Sequence, residues 1–321
     1  MSPLRLGTRG SALALAQARW VAERLPGEVV LVEITTAGDL QRDQPASPEP
    51  GPAQAFDPGD KSRWTGALER ALVAGELDLA VHSAKDVPGE LAPGTEIAAV
   101  PERADARDVL VGAPSLDALP RGARVGTSAL RRRAQLLAVR PDLEVVELRG
   151  NVDTRLRRLA DGEVDALVLA AAGLARLGRD DVVAAPLDGD VFVPAPGQGC
   201  LLIQARAGDA SIEAAIEAAR DQPRDRRLPD VFTHIALDTE RDVAARLGAT
   251  CHTAVGVHAM LGLDGVVVRG FAGLPDGSEW LVDEVRNIER DADVAAVGAR
   301  LAERMLSAGA ADLLARAEAM A

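Results

Sequence analysis

Tyrosine is absent from this 321-residue sequence, and aromatic residues of any kind make up only 2% of it, against 47% hydrophobic residues. Aliphatic Ala, Leu and Val must fill the interior, a composition that suits helices packed on sheets. Cysteine is nearly missing: Cys200 and Cys251 are too few to staple a chain this long, which excludes a disulfide framework. His82, His234, His252 and His258 are scattered, and neither Cys-x-x-Cys nor His-Glu-x-x-His spacing occurs, so no metal site is expected. No apolar run approaches the ~18 to 20 residues of a membrane span. Met1-Ser2-Pro3 leads straight into the strand-like Leu4-Arg5-Leu6, and a cytoplasmic location is expected. Positive charge is also in deficit. With 36 basic and 49 acidic residues the net charge is -13, which argues against nucleic acid or an anionic membrane as the main partner.

What the chain does have is length for two or three domains and an internal echo. Gly7-Thr8-Arg9-Gly10-Ser11-Ala12-Leu13 and Gly126-Thr127-Ser128-Ala129-Leu130 each follow a short apolar run and open a helix. Gly75-Glu76-Leu77-Asp78 and Gly162-Glu163-Val164-Asp165 each close a helix before a buried strand. Two similar α/β halves follow, the first carrying an insertion. Residues 38–66 hold five prolines and few apolar residues, which predicts a mobile loop with no regular element. Cys200-Leu201-Leu202-Ile203 reads as a strand returning to the first half. Beyond about residue 226 the pattern becomes a helix over 233–247 and strands at 253–259, 266–272 and 280–285. Two Ala-rich helices follow, so a small α+β domain is expected to close the chain.

Candidate chemistry lies first in the arginines. Residues 121–158 hold ten Arg and four acids, a local surplus of six positive charges in an acidic chain. Arg131 and Arg132 fall in the first helical turn after Gly126-Thr127-Ser128, where free N–H groups and the helix dipole favour an anion. Arg149 and Arg155 flank a second strand-to-helix turn of the same design. Such strand ends are where open α/β sheets bind ligands. Lys85 and Asp86 place a cation beside a carboxylate at another strand end. Cys251 sits in a loop and suits covalent attachment through its thiolate, whereas Cys200 lies in an aliphatic run that suits packing.

Six ordered segments resemble the hydroxymethylbilane synthase (porphobilinogen deaminase) family: 7–15 (GTRGSALAL), 81–88 (VHSAKDVP), 125–132 (VGTSALRR), 148–156 (LRGNVDTRL), 171–178 (AAGLARLG) and 196–199 (PGQG). The resemblance implies a transferase of porphyrin and heme biosynthesis. It also implies an α/β fold: two periplasmic-binding-protein-like domains around a cleft, plus a small α+β C-terminal domain. Residues 1–100 and 200–222 would form the first domain, 101–199 the second and 223–321 the third. The implied cofactor is dipyrromethane, bound through a thioether to Cys251 and held by Ser83, Lys85, Thr127, Ser128, Arg131 and Arg132. The implied substrate is porphobilinogen. Its four units would lose ammonia and join head to tail on that primer, and water would release linear hydroxymethylbilane. Arg9, Ser11, Arg149, Asn151, Arg155, Arg176 and Gln198 match substrate-binding positions, and Asp86 matches the catalytic carboxylate. A monomer with no nucleic-acid or membrane partner is expected.

The sequence departs from the family pattern in three places. The Gly-rich, Lys-bearing lid is replaced by Asp60-Lys61-Ser62-Arg63-Trp64, where Lys61 and Trp64 are the counterparts. The cofactor loop reads Ala249-Thr250-Cys251-His252-Thr253-Ala254 instead of Gly-Gly-Cys-Gln-x-Pro, and Ala129 replaces a frequent Ser. A non-catalytic two-lobed module for small anions is the competing reading. It accounts for the halves and the arginines but leaves Asp86, Cys251 and the third domain without a task.

Overall fold

The computed structural model describes residues 2–40, 61–182, 185–223, 226–250, 252–262, 265–289 and 293–320. They fall into two units: residues 1–102 with 201–230, and residues 103–200 with 231–321. The first unit begins β1 (Leu4–Thr8), α1 (Ala12–Ala22), β2 (Val29–Glu33), α2 (Ala37–Leu40), α3 (Ser62–Val73), β3 (Leu79–Ser83) and β4 (Thr95–Ala99). The second unit supplies β5 (Asp108–Val111), β6 (Arg124–Gly126), α4 (Leu130–Val139), β7 (Glu144–Val146) and α5 (Val152–Ala160). It continues with β8 (Ala166–Ala170), α6 (Ala171–Arg176) and β9 (Ala185–Pro186). The chain then returns to the first unit as β10 (Leu201–Arg206) and α7 (Ala210–Arg220). It ends in the second unit with α8 (Val231–Arg246), β11 (Ala254–Gly262), β12 (Gly265–Gly273), β13 (Trp280–Asn287), α9 (Val294–Ser307) and α10 (Ala310–Glu318).

The two five-stranded sheets share one plan, β2-β1-β3-β10-β4 and β7-β6-β8-β5-β9, while β11-β12-β13 form a separate antiparallel sheet. In each large sheet three parallel strands meet an antiparallel fourth. The echo in the sequence is an echo in register. Leu6 and Gly7 pair with Leu79 and Ala80, as Val125 and Gly126 pair with Ala166 and Leu167. At the opposite end, the Asp78 carboxylate accepts from the Arg5 backbone N–H at 2.8 Å, as Asp165 does from Arg124 at 2.6 Å. Gly75 and Gly162 both take the left-handed conformation (φ 73° and 74°) that ends a helix without a Cβ penalty.

Gly7 and Gly126 serve a different need. A Cβ on Gly7 would lie 2.3 Å from a Leu77 methyl, and one on Gly126 would lie 2.9 Å from a Leu167 methyl. Glycine therefore lets β1 and β6 pass close to neighbouring leucine side chains. Aliphatic side chains fill the cores as the composition requires. Leu6, Val21, Ile203 and Leu228 are among the buried residues of the first unit, and Leu110, Val125, Leu136 and Val168 among those of the second.

One expectation needs correcting. Residues 38–66 are not wholly irregular: α2 extends to Leu40 and α3 starts at Ser62. Helix α3 forms because Leu68, Ala71 and Leu72 recur at helical spacing on the face that covers the sheet. Residues 41–60, which carry the prolines of that stretch, lie outside the described residues.

In the second unit the small sheet is anchored by Phe271, Ala254, Val193 and Ala134, which are buried together with Leu130 against them. Glu240 of α8, fully buried, joins three segments there. It pairs with Arg103 at 2.6 Å and accepts from the backbone of Gly197 at 2.7 Å and Ala259 at 2.8 Å. Two charges taken out of water need such a closed set of partners.

Candidate active site

Every described candidate at a strand end lies at or beyond the C-terminal end of a parallel strand, where βα turns gather ligand-binding groups. In the first unit, Arg9 and Ser11 follow β1, Ser83 ends β3, and Lys85 and Asp86 follow it within a single 3-10 turn at Ala84–Asp86. Ser11 is the N-cap of α1 and accepts from the Ala14 N–H at 3.3 Å, leaving its own hydrogen to donate elsewhere. Ser83 exchanges hydrogen bonds with Gln17, whose amide donates to the hydroxyl at 2.9 Å. Asp86 makes no hydrogen bond or ion pair among the described residues. Arg9 pairs with Asp39 through Nε at 3.1 Å and through Nη2, and its guanidinium lies 4.1 Å from the Trp64 ring centroid. Burial pushes the Asp39 carboxyl up, but Arg9 and Thr36 outweigh it and hold the group below the usual carboxylate range.

His82, on β3, is buried with its Nε2 lacking a hydrogen bond. Burial pushes its pKa down to about 4, against the pull of Glu69 and Gln204. The imidazole is thus kept neutral.

In the second unit, Arg131 and Arg132 are 5% exposed and converge on one carboxylate, Asp108 at the start of β5. Arg131 Nη2 lies 2.8 Å from Oδ2, and Arg132 Nη2 lies 2.8 Å from Oδ1. Gln198 also donates to Oδ1 at 2.8 Å and to the Ala106 carbonyl at 2.7 Å, so its amide is spent inside this network. Burial alone would raise the Asp108 carboxyl, yet the two guanidiniums hold it far below the usual range. The two guanidiniums therefore find a counter-ion within the chain. One positive charge is still left over, and burial lowers the pKa of Arg131.

Neighbouring candidates are held separately. Arg155 donates to Ser128 at 3.0 Å and to the Gly150 carbonyl at 3.0 Å. Asn151 caps α5 by accepting from the Thr154 N–H at 2.8 Å. Arg149 is exposed and pairs with Glu147 at 2.6 Å. Thr127 is buried, and its hydroxyl accepts from the Ala129 N–H at 3.3 Å. Arg176 donates to the Gly199 carbonyl at 2.8 Å, and burial lowers its pKa to about 10. Cys200 is buried, as the aliphatic run around it suggested. Cys251 lies outside the described residues. Thr250 and Thr253, on either side of it, brace each other: the Thr250 N–H donates to the Thr253 hydroxyl at 2.9 Å, which donates back to the Thr250 carbonyl at 2.9 Å. Lys61 precedes α3 and makes no side-chain cap. No cluster of three or more potential metal ligands occurs among the described residues.

Three residues beside these candidates, two in the first unit and one in the second, escaped the sequence reading. Asp108 falls outside the 121–158 window in which charges were counted. Gln17, 3% exposed, is a lone amide in an aliphatic helix, and Asp39 follows β2 as Arg9 follows β1. A further signal was present: Lys61 and Lys85 are the only lysines among 36 basic residues. A chain that prefers Arg almost everywhere keeps Lys at two candidate positions.

The chemistry of this donor set is that of a protein handling polycarboxylates: buried guanidiniums in excess of carboxylates, with hydroxyls beside them. Residues 4–214 match the family model described as porphobilinogen deaminase, dipyromethane cofactor binding domain. The porphobilinogen deaminase of Roseiflexus castenholzii is 45% identical over 319 residues, 97% of this chain and 98% of the relative. Those of Rubrobacter xylanophilus (45%, covering 97% and 96%) and Deinococcus deserti (43%, covering 98% of both) are similar. A methionine-bound nutrient-binding protein from Burkholderia cenocepacia matches 69% of this chain and 93% of its own, at 15% identity and a TM-score of 0.41. The chain belongs to the porphobilinogen deaminase family, whose members are transferases with a dipyrromethane cofactor. Among the described residues no helix is long and apolar enough to cross a membrane.

Proposed function

We propose that this chain is a hydroxymethylbilane synthase: it condenses four porphobilinogen units head to tail, one ammonia leaving per bond, and releases the linear tetrapyrrole by hydrolysis. The observation that carries the reading is the buried Arg131–Asp108–Arg132 group. It retains a net positive charge beside the α4 N-terminus, where a carboxylate ligand gains most. The residues present fit a dipyrromethane, whose acetate and propionate groups need such donors. When bound, that group would supply the primer for chain growth. Arg131, Arg132, Thr127 and Ser128 would hold its carboxylates, and Ser83 and Lys85 of the first unit add donors for the same kind of group.

Arg9, Ser11, Arg149, Asn151, Arg155, Arg176 and Gln198 are assigned to substrate carboxylates. Gln198 and Asn151 would act largely through the loops they tie down, given the partners described above. Asp86 is the catalytic carboxylate. Loss of ammonia leaves positive charge on the carbon framework of the deaminated pyrrole, and a carboxylate with no hydrogen-bond partner of its own is poised to offset it and to accept a hydrogen bond from the pyrrole N–H. Lys61 and Trp64 are the lid counterparts. The protein is read as a cytoplasmic monomer with no nucleic-acid or membrane partner.

Attachment through Cys251 is the decisive part of this reading. A thioether survives reductant, so the intact mass in denaturant and reductant should exceed the sequence mass by two linked pyrrole units. Cys251→Ser should lose both the extra mass and the activity. An unmodified protein that binds pyrrole carboxylates reversibly would support the anion-binding module instead, and an adduct on Cys200 would move the attachment site.

A further inference from the structure

Arg9 is gripped along one edge only. Its Nε and Nη2 donate side-on to Asp39, using two of the five N–H groups of the guanidinium fork. The end-on edge, formed by Nη1 and the outer hydrogen of Nη2, has no partner among the described residues. The plane of the fork is fixed from two further directions. Trp64 covers one face at 4.1 Å, and Trp64 itself lies so close on Gly38 that a Cβ there would fall 2.2 Å from the ring. Asp39 is held in turn by Thr36, which is buried and donates through its hydroxyl at 2.7 Å and its backbone N–H at 3.3 Å. The Arg9 side chain is 16% exposed and that of Asp39 20% exposed, so the pair is only partly screened by solvent.

We propose that Asp39 is a positioning residue for the substrate. It clamps Arg9 side-on so that the end-on edge is presented as a preset bidentate receptor for one pyrrole carboxylate. This rests on the assignment of Arg9 to substrate carboxylates. An arginine already neutralised on one edge contributes less net attraction than a free one. What it gains is orientation, because a fork fixed in its plane loses little rotamer freedom when a planar carboxylate docks. The arrangement therefore selects a planar two-oxygen anion over a spherical one. A residue that acts in this way changes how tightly substrate is held, and it leaves the chemical step and the priming of the protein alone.

The test uses purified full-length protein carrying its cofactor, with porphobilinogen as the varied substrate. Asp39→Asn keeps the shape and removes the charge that grips the fork. It should raise KM about tenfold with kcat changed by less than about twofold, the pattern of lost binding shared by ground and transition states. The pyrrole adduct in the intact mass and the urea midpoint should both match those of the unsubstituted protein. Arg9→Lys, which cannot form a planar fork, should raise KM similarly, and the double variant should be no worse than Arg9→Lys alone because Asp39 acts through Arg9. An unchanged KM in Asp39→Asn beside an impaired Arg9→Lys overturns the positioning role and leaves Arg9 as a substrate contact. A lowered KM overturns it in favour of Asp39 as a competitor for the same arginine, and additive effects in the double variant overturn it as well. Wild-type kinetics in Arg9→Lys remove the assignment of Arg9 itself, and the proposal with it.

Discussion

Asp108→Asn is the most informative perturbation of the second unit. The carboxylate is 0% exposed and faces two guanidiniums that are each 5% exposed. Replacing it with an amide leaves two cations with no buried counter-ion and turns an N–H toward one of them. Breaking a buried pair in this way costs about 3–5 kcal/mol. The lower end applies here, because the Val168 and Val193 carbonyls and the Gln198 amide oxygen still accept from Arg131 and Arg132. Trp280 is the one tryptophan in this unit, so urea unfolding followed by its emission in a Trp20→Phe/Trp64→Phe background reads the second unit by itself. With a slope of about 2 kcal/mol per M, the midpoint should fall by roughly 1.5 M. The pH dependence supplies an independent check. Asp108 has a depressed folded pKa, so its contribution is present above the unfolded carboxylate value and is lost as pH falls through the folded value. The Asn variant should lack that part of the acid sensitivity. A midpoint shift worth less than about 1 kcal/mol would refute the claim that these arginines depend on Asp108 for compensation.

Two other outcomes are expected. His82 has a folded pKa of about 4 against an ordinary value of 6.5, so the unfolded chain takes up a proton that the folded one refuses, and stability should fall as pH drops from 6.5 toward 4. The full effect is ~3 kcal/mol, and His82→Gln should flatten urea midpoints across that window; an unchanged slope would show that another group titrates there. Asp86→Asn should retain the pyrrole adduct by intact mass yet lose turnover at least about a hundredfold, since an amide cannot offset a developing cation; near-normal turnover would make Asp86 structural.

The paired halves were legible because their signals are local. A glycine near the end of a strand, pressed by leucine side chains, and a left-handed glycine just after a helix leave the same trace at 7 and 126 and at 75 and 162. Strands β11 to β13 were likewise announced by short strand-like runs between turn residues, and α8 lies within two residues of its expected start. Less visible was anything that depends on distant segments meeting. Asp108 precedes Arg131 by 23 residues, and only the β5–β8 pairing beside β6 shows why one carboxylate serves both arginines. Gln198 matched a substrate-binding position, yet its amide donates to Asp108 and Ala106. The start of α3 was hidden by the prolines upstream, although Leu68, Ala71 and Leu72 carried its period.

The place of β10 between β3 and β4 has a consequence for synthesis. Strands β3 and β4 do not pair with each other, so β4 has no strand beside it until Leu201–Arg206 has been made. About 100 residues separate Ala99 from Leu201, and at ~5–20 residues per second a ribosome needs on the order of 5–20 s to supply them. The sheet of the second unit has no such wait, since β5 to β9 are contiguous from Asp108 to Pro186. The sheet that is begun first is thus completed second, and the hydrogen-bonding edge of β3 that β10 covers has no strand beside it for that interval.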